Sequence, residues 1–87
     1  MKINYVYIVE CSDHTYYTGW TTNLERRIET HNKGNGAKYT KARCPVKLIY
    51  FEEFVNKNQA LKREHAIKQL TRKQKELLIK DFSLIKR

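Results

Sequence analysis

Residues 4–11 (NYVYIVEC) are dominated by β-branched and aromatic side chains, unbroken from Tyr5 to Val9, and no other stretch limits the possible folds as much. Such a run is at home in a sheet. Ser12-Asp13-His14 follows with turn chemistry, and residues 15–19 (TYYTG) return as a second strand, so the sequence predicts a hairpin. With the turn centred on Asp13, Tyr5, Tyr7, Tyr17 and Gly19 share parity and emerge on one face.

The rest of the chain reads as helices around one further strand. Thr22-Asn-Leu-Glu25 is a capping box that predicts a helix from about Asn23 to Asn32, ended by Gly34. Residues 32–45 (NKGNGAKYTKARCP) predict a basic, glycine-containing loop, and residues 46–54 (VKLIYFEEF) a central strand. Asn56-x-x-Gln59 and Thr71-x-x-Gln74 cap two more helices, over about 57–70 and 72–81. The order β-β-α-β-α-α is that of a small α+β domain with a largely antiparallel sheet. At 87 residues, positions 1–87 are expected to form one domain, with aromatic side chains (11%) filling a small core. No apolar run approaches 18 residues, and the opening MKINYVYIVEC lacks the features of a signal peptide, so a cytoplasmic protein without a membrane partner is expected. Cys11 and Cys44, 33 residues apart with no CxxC, read as two reduced thiols rather than a zinc site.

Charge supplies the first functional hint. Eighteen Lys and Arg against nine Asp and Glu give +9. The excess is uneven: residues 1–56 carry eight basic and six acidic side chains, residues 57–87 ten and three. A basic end on a near-neutral body favours a polyanionic partner, because each phosphate contact releases condensed counterions. Membrane surfaces attract the same charge, yet the C-terminal helices lack the Trp/Phe-rich apolar face of an interfacial anchor. Nucleic acid is the expected partner. Lys38, Lys41 and Arg43 in the loop, with Lys62, Arg63, Arg72 and Lys73 in the helices, are the candidates to meet it; a solvated helix face is the plainer role for each.

Some polar residues fall on apolar faces, where their cost demands a reason. In the second helix, at about 100° per residue, Ala60, Leu61 and Ile67 form the stripe and Glu64 lies near its centre. A carboxylate there must be paired, protonated or bound to a cation. Lys68 offers an i,i+4 ion pair; the alternative is a hard cation such as Mg²⁺, completed by water and substrate phosphate. In the first helix Leu24 and Ile28 define the buried face, Arg27 and His31 lie on or beside it, and Glu25, Arg26 and Glu29 point elsewhere. Arg27 either meets a phosphoryl oxygen or lays its stem on the sheet with its head in water. His31 either polarises a water or leaving group or, more plainly, caps the helix end. Tyrosine stripes in strands are more often packing than chemistry. Several phenols beside an Arg, a His and a Glu are nonetheless an unusual core, because buried hydroxyls need partners.

Tyr5-Val6-Tyr7, then Tyr17-Thr18-Gly19, Arg27, His31 and Glu64, resemble the GIY-YIG nuclease superfamily over nearly the whole chain. More narrowly, TGWTTNLERRIETHNKGNGAKYT with the later REHAIKQL is similar to the small stand-alone bacterial proteins of the YhbQ type, related to the structure-selective nuclease subunit SLX. The resemblance implies a central three-stranded antiparallel sheet flanked by helices, and Mg²⁺- or Mn²⁺-dependent cleavage of DNA phosphodiesters. Carried over, Tyr7 is the acceptor of a proton from the attacking water, and Tyr17 orients the centre. Arg27 stabilises phosphate charge, Glu64 is the single metal ligand, and His31 assists proton transfer. Trp20 stands where some members have lysine, and Gln74 and Glu76 occupy the region where others carry asparagine. Members usually add a domain or a protein partner for targeting. Two functions are therefore expected to compete: a structure-selective DNA endonuclease linked to repair or recombination, or a non-catalytic nucleic-acid-binding module or subunit needing a partner.

Overall fold

The computed structural model describes residues 2–85. β1 (Asn4–Glu10) and β2 (Tyr16–Thr21) form the expected hairpin, with Tyr7 opposite Gly19 and Val9 opposite Tyr17. Asp13 Oδ1 accepts hydrogen bonds from the Thr15 N–H (3.2 Å) and hydroxyl (2.6 Å), and His14 takes a positive φ of 66° to complete the turn. β2 runs two residues past the expected Gly19, because the ladder continues to the pair Tyr5–Thr21.

β3 (Lys47–Phe54) pairs antiparallel with β1, giving the order β2-β1-β3. The expectation of a central strand at 46–54 is thus corrected: β1 is central and β3 is an edge. Burial on both faces decides this. Val6, Tyr7, Ile8 and Val9 are all fully buried, whereas β3 carries Glu52 and Glu53, which no doubly covered strand accommodates well.

Helices cover the two faces unequally. α3 (Lys57–Lys68) and α4 (Arg72–Ile85) lie on one face, where Ala60 and Ile67 meet Val6, Ile8 and Tyr50, with Leu78, Ile79 and Phe82 packed outside. Leu61, expected in this stripe, is instead 37% exposed. Both caps form: Asn56 accepts from the Gln59 N–H (3.1 Å), and Thr71 and Gln74 exchange side chain-to-backbone bonds at 3.2 and 2.9 Å. α4 extends beyond the expected residue 81, and Phe82 on that extension sits edge-on to Tyr50 and Phe51.

α1 (Leu24–Asn32) covers the other face through Leu24 and Ile28, against Tyr7, Val9 and Val46. Its N-cap is Asn23, one residue later than expected, because Asn23 Oδ1 accepts the Arg26 N–H (3.1 Å) while Thr21 Oγ1 accepts the Asn23 N–H (3.2 Å). The 32–45 segment is not a plain loop: it contains a one-turn helix, α2 (Lys38–Lys41), making the order β-β-α-α-β-α-α. A four-residue helix carries no readable apolar period. The segment is closed at its base by Asn32, whose side chain accepts the Val46 N–H (2.6 Å) and donates to the Val46 carbonyl (3.2 Å). The Cys44 thiol donates to the His31 carbonyl at 2.8 Å.

Candidate active site

Tyr7 lies directly opposite Gly19, and that pairing shapes the site. A Cβ at position 19 would stand 2.6 Å from Cζ of Tyr7, so only glycine lets the phenol reach across the face of β2. α1 presents Arg27 and His31 one turn apart, both toward this phenol. The Tyr7 hydroxyl is 2.8 Å from Nε2 of His31, and Nε of Arg27 donates to the same oxygen at 3.3 Å. His31 is fully buried. The favoured expectation that it merely caps the helix end is corrected: its ring is turned inward and bonded at both nitrogens.

The second partner of His31 comes from α2. Nδ1 is 2.8 Å from Oγ1 of Thr40, itself fully buried, and that oxygen is 3.0 Å from the Ala37 carbonyl. The two ends of this chain set its direction. A carbonyl can only accept, so the Thr40 hydroxyl donates to Ala37 and must accept from Nδ1–H. Nε2 then carries the lone pair and accepts the Tyr7 O–H, while Arg27, which can only donate, holds the phenol oxygen from the other side. Gly36 makes the arrangement possible, since a Cβ there would stand 2.9 Å from Cγ of His31.

Electrostatics agree with this polarity. Burial lowers the His31 pKa, reinforced by the Arg27 charge, so the ring is neutral and can accept. Burial raises the Tyr7 pKa; the Arg27 hydrogen bond and charge oppose the shift, and the charges of Tyr17 and Glu64 add to it. The hydrogen bond to Tyr7 is the leading cause of an upward shift at Arg27. Tyr17 stands edge-on to His31, ring centroids 5.6 Å apart, and lies nearly parallel to Tyr39 of α2 at 6.1 Å.

Glu64 is largely buried on α3, its side chain 19% exposed, and Nζ of Lys68 is 3.3 Å from its carboxylate. The i,i+4 pair considered from the sequence is therefore formed. The described residues contain no cluster of three or more His, Cys, Asp or Glu able to hold a metal. A single carboxylate whose charge reaches Tyr7 fits Mg²⁺ or Mn²⁺, which keep waters and take substrate phosphate in their remaining positions.

The expected nucleic-acid contacts divide into two groups. Lys38, Lys41, Lys62 and Lys73 are exposed and make no ion pair among the described residues. The three arginines are engaged internally. Arg43 bonds Asp13 (3.1 Å) and lies over the Tyr39 ring. Arg63 forks onto Glu52 at 3.0–3.1 Å, and Arg72 contacts Glu76, the His14 carbonyl and the Tyr16 ring. Thr40, Tyr39 and Gly36 escaped the sequence reading. The one available signal was the pair Gly34 and Gly36 just after the helix, where a single stop would have sufficed.

Residues 3–77 match the model of the GIY-YIG catalytic domain. The chain is 60% identical over 82 residues to a UPF0213 protein of Clostridium perfringens, covering 94% of this chain and 88% of that one. It is 55% identical over 76 residues to a UPF0213 protein of Halobacterium salinarum, covering 87% and 99%. Two solution NMR structures are similar. A protein from E. faecalis is 46% identical with a TM-score of 0.65, over 97% of this chain and 90% of that one. A UPF0213 protein of Bacillus halodurans is 45% identical with a TM-score of 0.59, over 90% and 83%. With a catalytic-domain match across most of its length and relatives of this identity, the chain belongs to the GIY-YIG superfamily and, within it, to the small YhbQ-like proteins of the UPF0213 family.

Proposed function

We propose that this protein is a divalent-metal-dependent endonuclease that hydrolyses DNA phosphodiester bonds, structure-selective and serving repair or recombination. The observation that carries the reading is the directed chain from Arg27 through Tyr7 and His31 to Thr40. A buried phenol pointing its proton at a neutral imidazole is arranged to exchange protons. As water attacks phosphorus, the Tyr7 oxygen takes a water proton and passes its own to Nε2 of His31, while the bond to the leaving sugar oxygen breaks. Arg27 offsets charge on the phosphate and the phenol, and Tyr17 packs on the imidazole to hold its plane. Glu64 would hold Mg²⁺ or Mn²⁺, releasing Lys68; when bound, the ion supplies Lewis-acid stabilisation of the phosphate and leaving oxygen.

Residues 1–87 act in this reading as one domain in the cytoplasm, where Cys11 and Cys44, free in the structure, stay reduced. The competing reading is a non-catalytic binding module or a subunit needing a protein partner for targeting, and the Glu64–Lys68 pair favours it insofar as the carboxylate already has a cation. Cleavage of labelled single-stranded, duplex and branched DNA with Mg²⁺, Mn²⁺ or EDTA separates the two. The expected result is metal-dependent cutting by the wild type that falls by at least ~100-fold in Glu64→Ala with the fold kept. Salt-sensitive binding without cutting would overturn the nuclease reading.

A further inference from the structure

α1 divides its charges between two sides. Glu25 and Glu29 border an apolar groove with Leu24, Ile28 and Leu48. Arg26, Arg27 and Thr30, at the spacing that brings residues to one helical face, border a different cleft of about 380 Å³. That cleft is completed by Lys2, Thr21, Thr22 and Asn23, and no carboxylate of the described residues lines it. Lys2 and Arg26 are exposed and make no ion pair among the described residues, in contrast to Arg43, Arg63, Lys68 and Arg72, each matched to an acid. Arg27 belongs to both places: it lines the cleft and its Nε donates to the Tyr7 phenol. Thr21 and Gly19 lie on the same face of β2, two residues apart, so the cleft begins about 7 Å along the strand from the glycine that faces Tyr7. That distance is close to the separation of successive phosphates in an extended strand.

We propose that this cleft is a second phosphate subsite, in which Lys2 and Arg26 hold a non-scissile phosphodiester of the strand whose neighbouring phosphate meets Arg27 and Tyr7. The assignment rests on the nuclease reading for which phosphate is which, but its binding chemistry is separately measurable. Two unpaired cations beside a bifunctional arginine attract a polyanion, and the side-chain NH2 of Asn23, whose Oδ1 caps the helix, adds a donor for a phosphate oxygen, while the Thr21 and Thr30 hydroxyls donate to the Asn23 and Arg26 carbonyls. The subsite sets the register of the strand by binding one linkage away from the chemistry.

The test is binding of a fluorescein-labelled 12-nucleotide DNA, single-stranded and duplex, to wild type and to a Lys2→Ala/Arg26→Ala double variant. EDTA is present throughout, so that turnover plays no part. Loss of the subsite is expected to weaken binding about 10-fold and to make the log–log salt slope shallower by roughly one to two. A set of oligonucleotides, each with one neutral methylphosphonate linkage, supplies the second readout. One position should weaken the wild type several-fold and leave the double variant indifferent. Equal affinities and slopes, or a neutral linkage felt equally by both proteins, would overturn the proposal, as would a wild type that binds neither DNA form. Cleavage with Mg²⁺ or Mn²⁺ is scored on its own: a wild type that shows the linkage effect but does not cut upholds the subsite while the nuclease reading fails.

Discussion

The phenol of Tyr7 and Nε2 of His31 meet at 2.8 Å with both side chains fully buried, although 24 residues separate them in sequence. The hydrogen bond is directed by groups at its two ends that cannot reverse roles: the Arg27 guanidinium and the Ala37 carbonyl. Each group in between inherits its polarity from these ends.

Thr40 is therefore predicted to matter although it has no place at the reacting atoms. Thr40→Val keeps shape and burial but leaves Nδ1–H of His31 without an acceptor, costing about 1–3 kcal/mol of stability. Cleavage should fall by up to about 100-fold, with a changed pH–rate profile, and Thr40→Ser should restore both. A Thr40→Val enzyme of normal rate and pH profile would show that the imidazole needs no fixed tautomer.

The three glycines should separate in a comparative urea denaturation series. Gly19→Ala and Gly36→Ala each place a Cβ against Tyr7 or His31, and should lose roughly 1–3 kcal/mol together with most activity. Gly34 has φ +79° and open space around its missing side chain, so Gly34→Ala should cost about 1–2 kcal/mol in backbone strain and spare the site. Equal activity losses at all three would mean that loop geometry, not contact with the two rings, governs the centre.

The buried imidazole also predicts how stability responds to acid. His31 has a folded pKa below its ordinary value of 6.5, so on acidification the unfolded chain takes up this proton first. Stability is unaffected by this group above about pH 6.5 and falls as pH drops below it. Urea midpoints measured from pH 7.5 to 5 should show this decline in the wild type. His31→Gln should flatten it.

Basic residues on the surface should not contribute equally to nucleic-acid binding. Lys62→Ala and Lys73→Ala leave no ion-pair partner behind among the described residues, and each should make the salt slope shallower by roughly one if its side chain meets a phosphate. Arg63→Ala should leave the slope unchanged and instead lower stability by up to about 1 kcal/mol, because its fork is closed on Glu52, which also accepts the Tyr50 hydroxyl. Fluorescence titrations across a salt series, with thermal melts of the same variants, give both readings.

Local chemistry carried most of the architecture. β-branched runs, turn residues and the Asn56 and Thr71 caps act within a few positions of themselves, so the hairpin and the three longer helices, but not α2, were legible in sequence order. Parity likewise placed Tyr7, Tyr17 and Gly19 on one face, and helical periodicity brought Arg27 and His31 to the same side. Position within the sheet was not legible. The apolar run at 46–54 looked central, yet edge and centre are settled by how many faces are covered, which depends on the distant Ala60, Ile67, Leu24 and Ile28.

Residue types and their local spacing by themselves determined the three strands and the three longer helices, and turned Tyr7, Arg27 and His31 toward one side, because caps, turns and amphipathic periods are short-range. Only the tertiary structure decided what those side chains do to one another. Thr40 reaches His31 because Asn32 ties the far end of the loop back to α1, and Arg26 joins Lys2 because Lys2, ahead of β1, borders the same cleft as Thr21 at the end of β2. Contacts of that kind depend on loop closure and packing between segments distant in sequence, for which no local pattern exists.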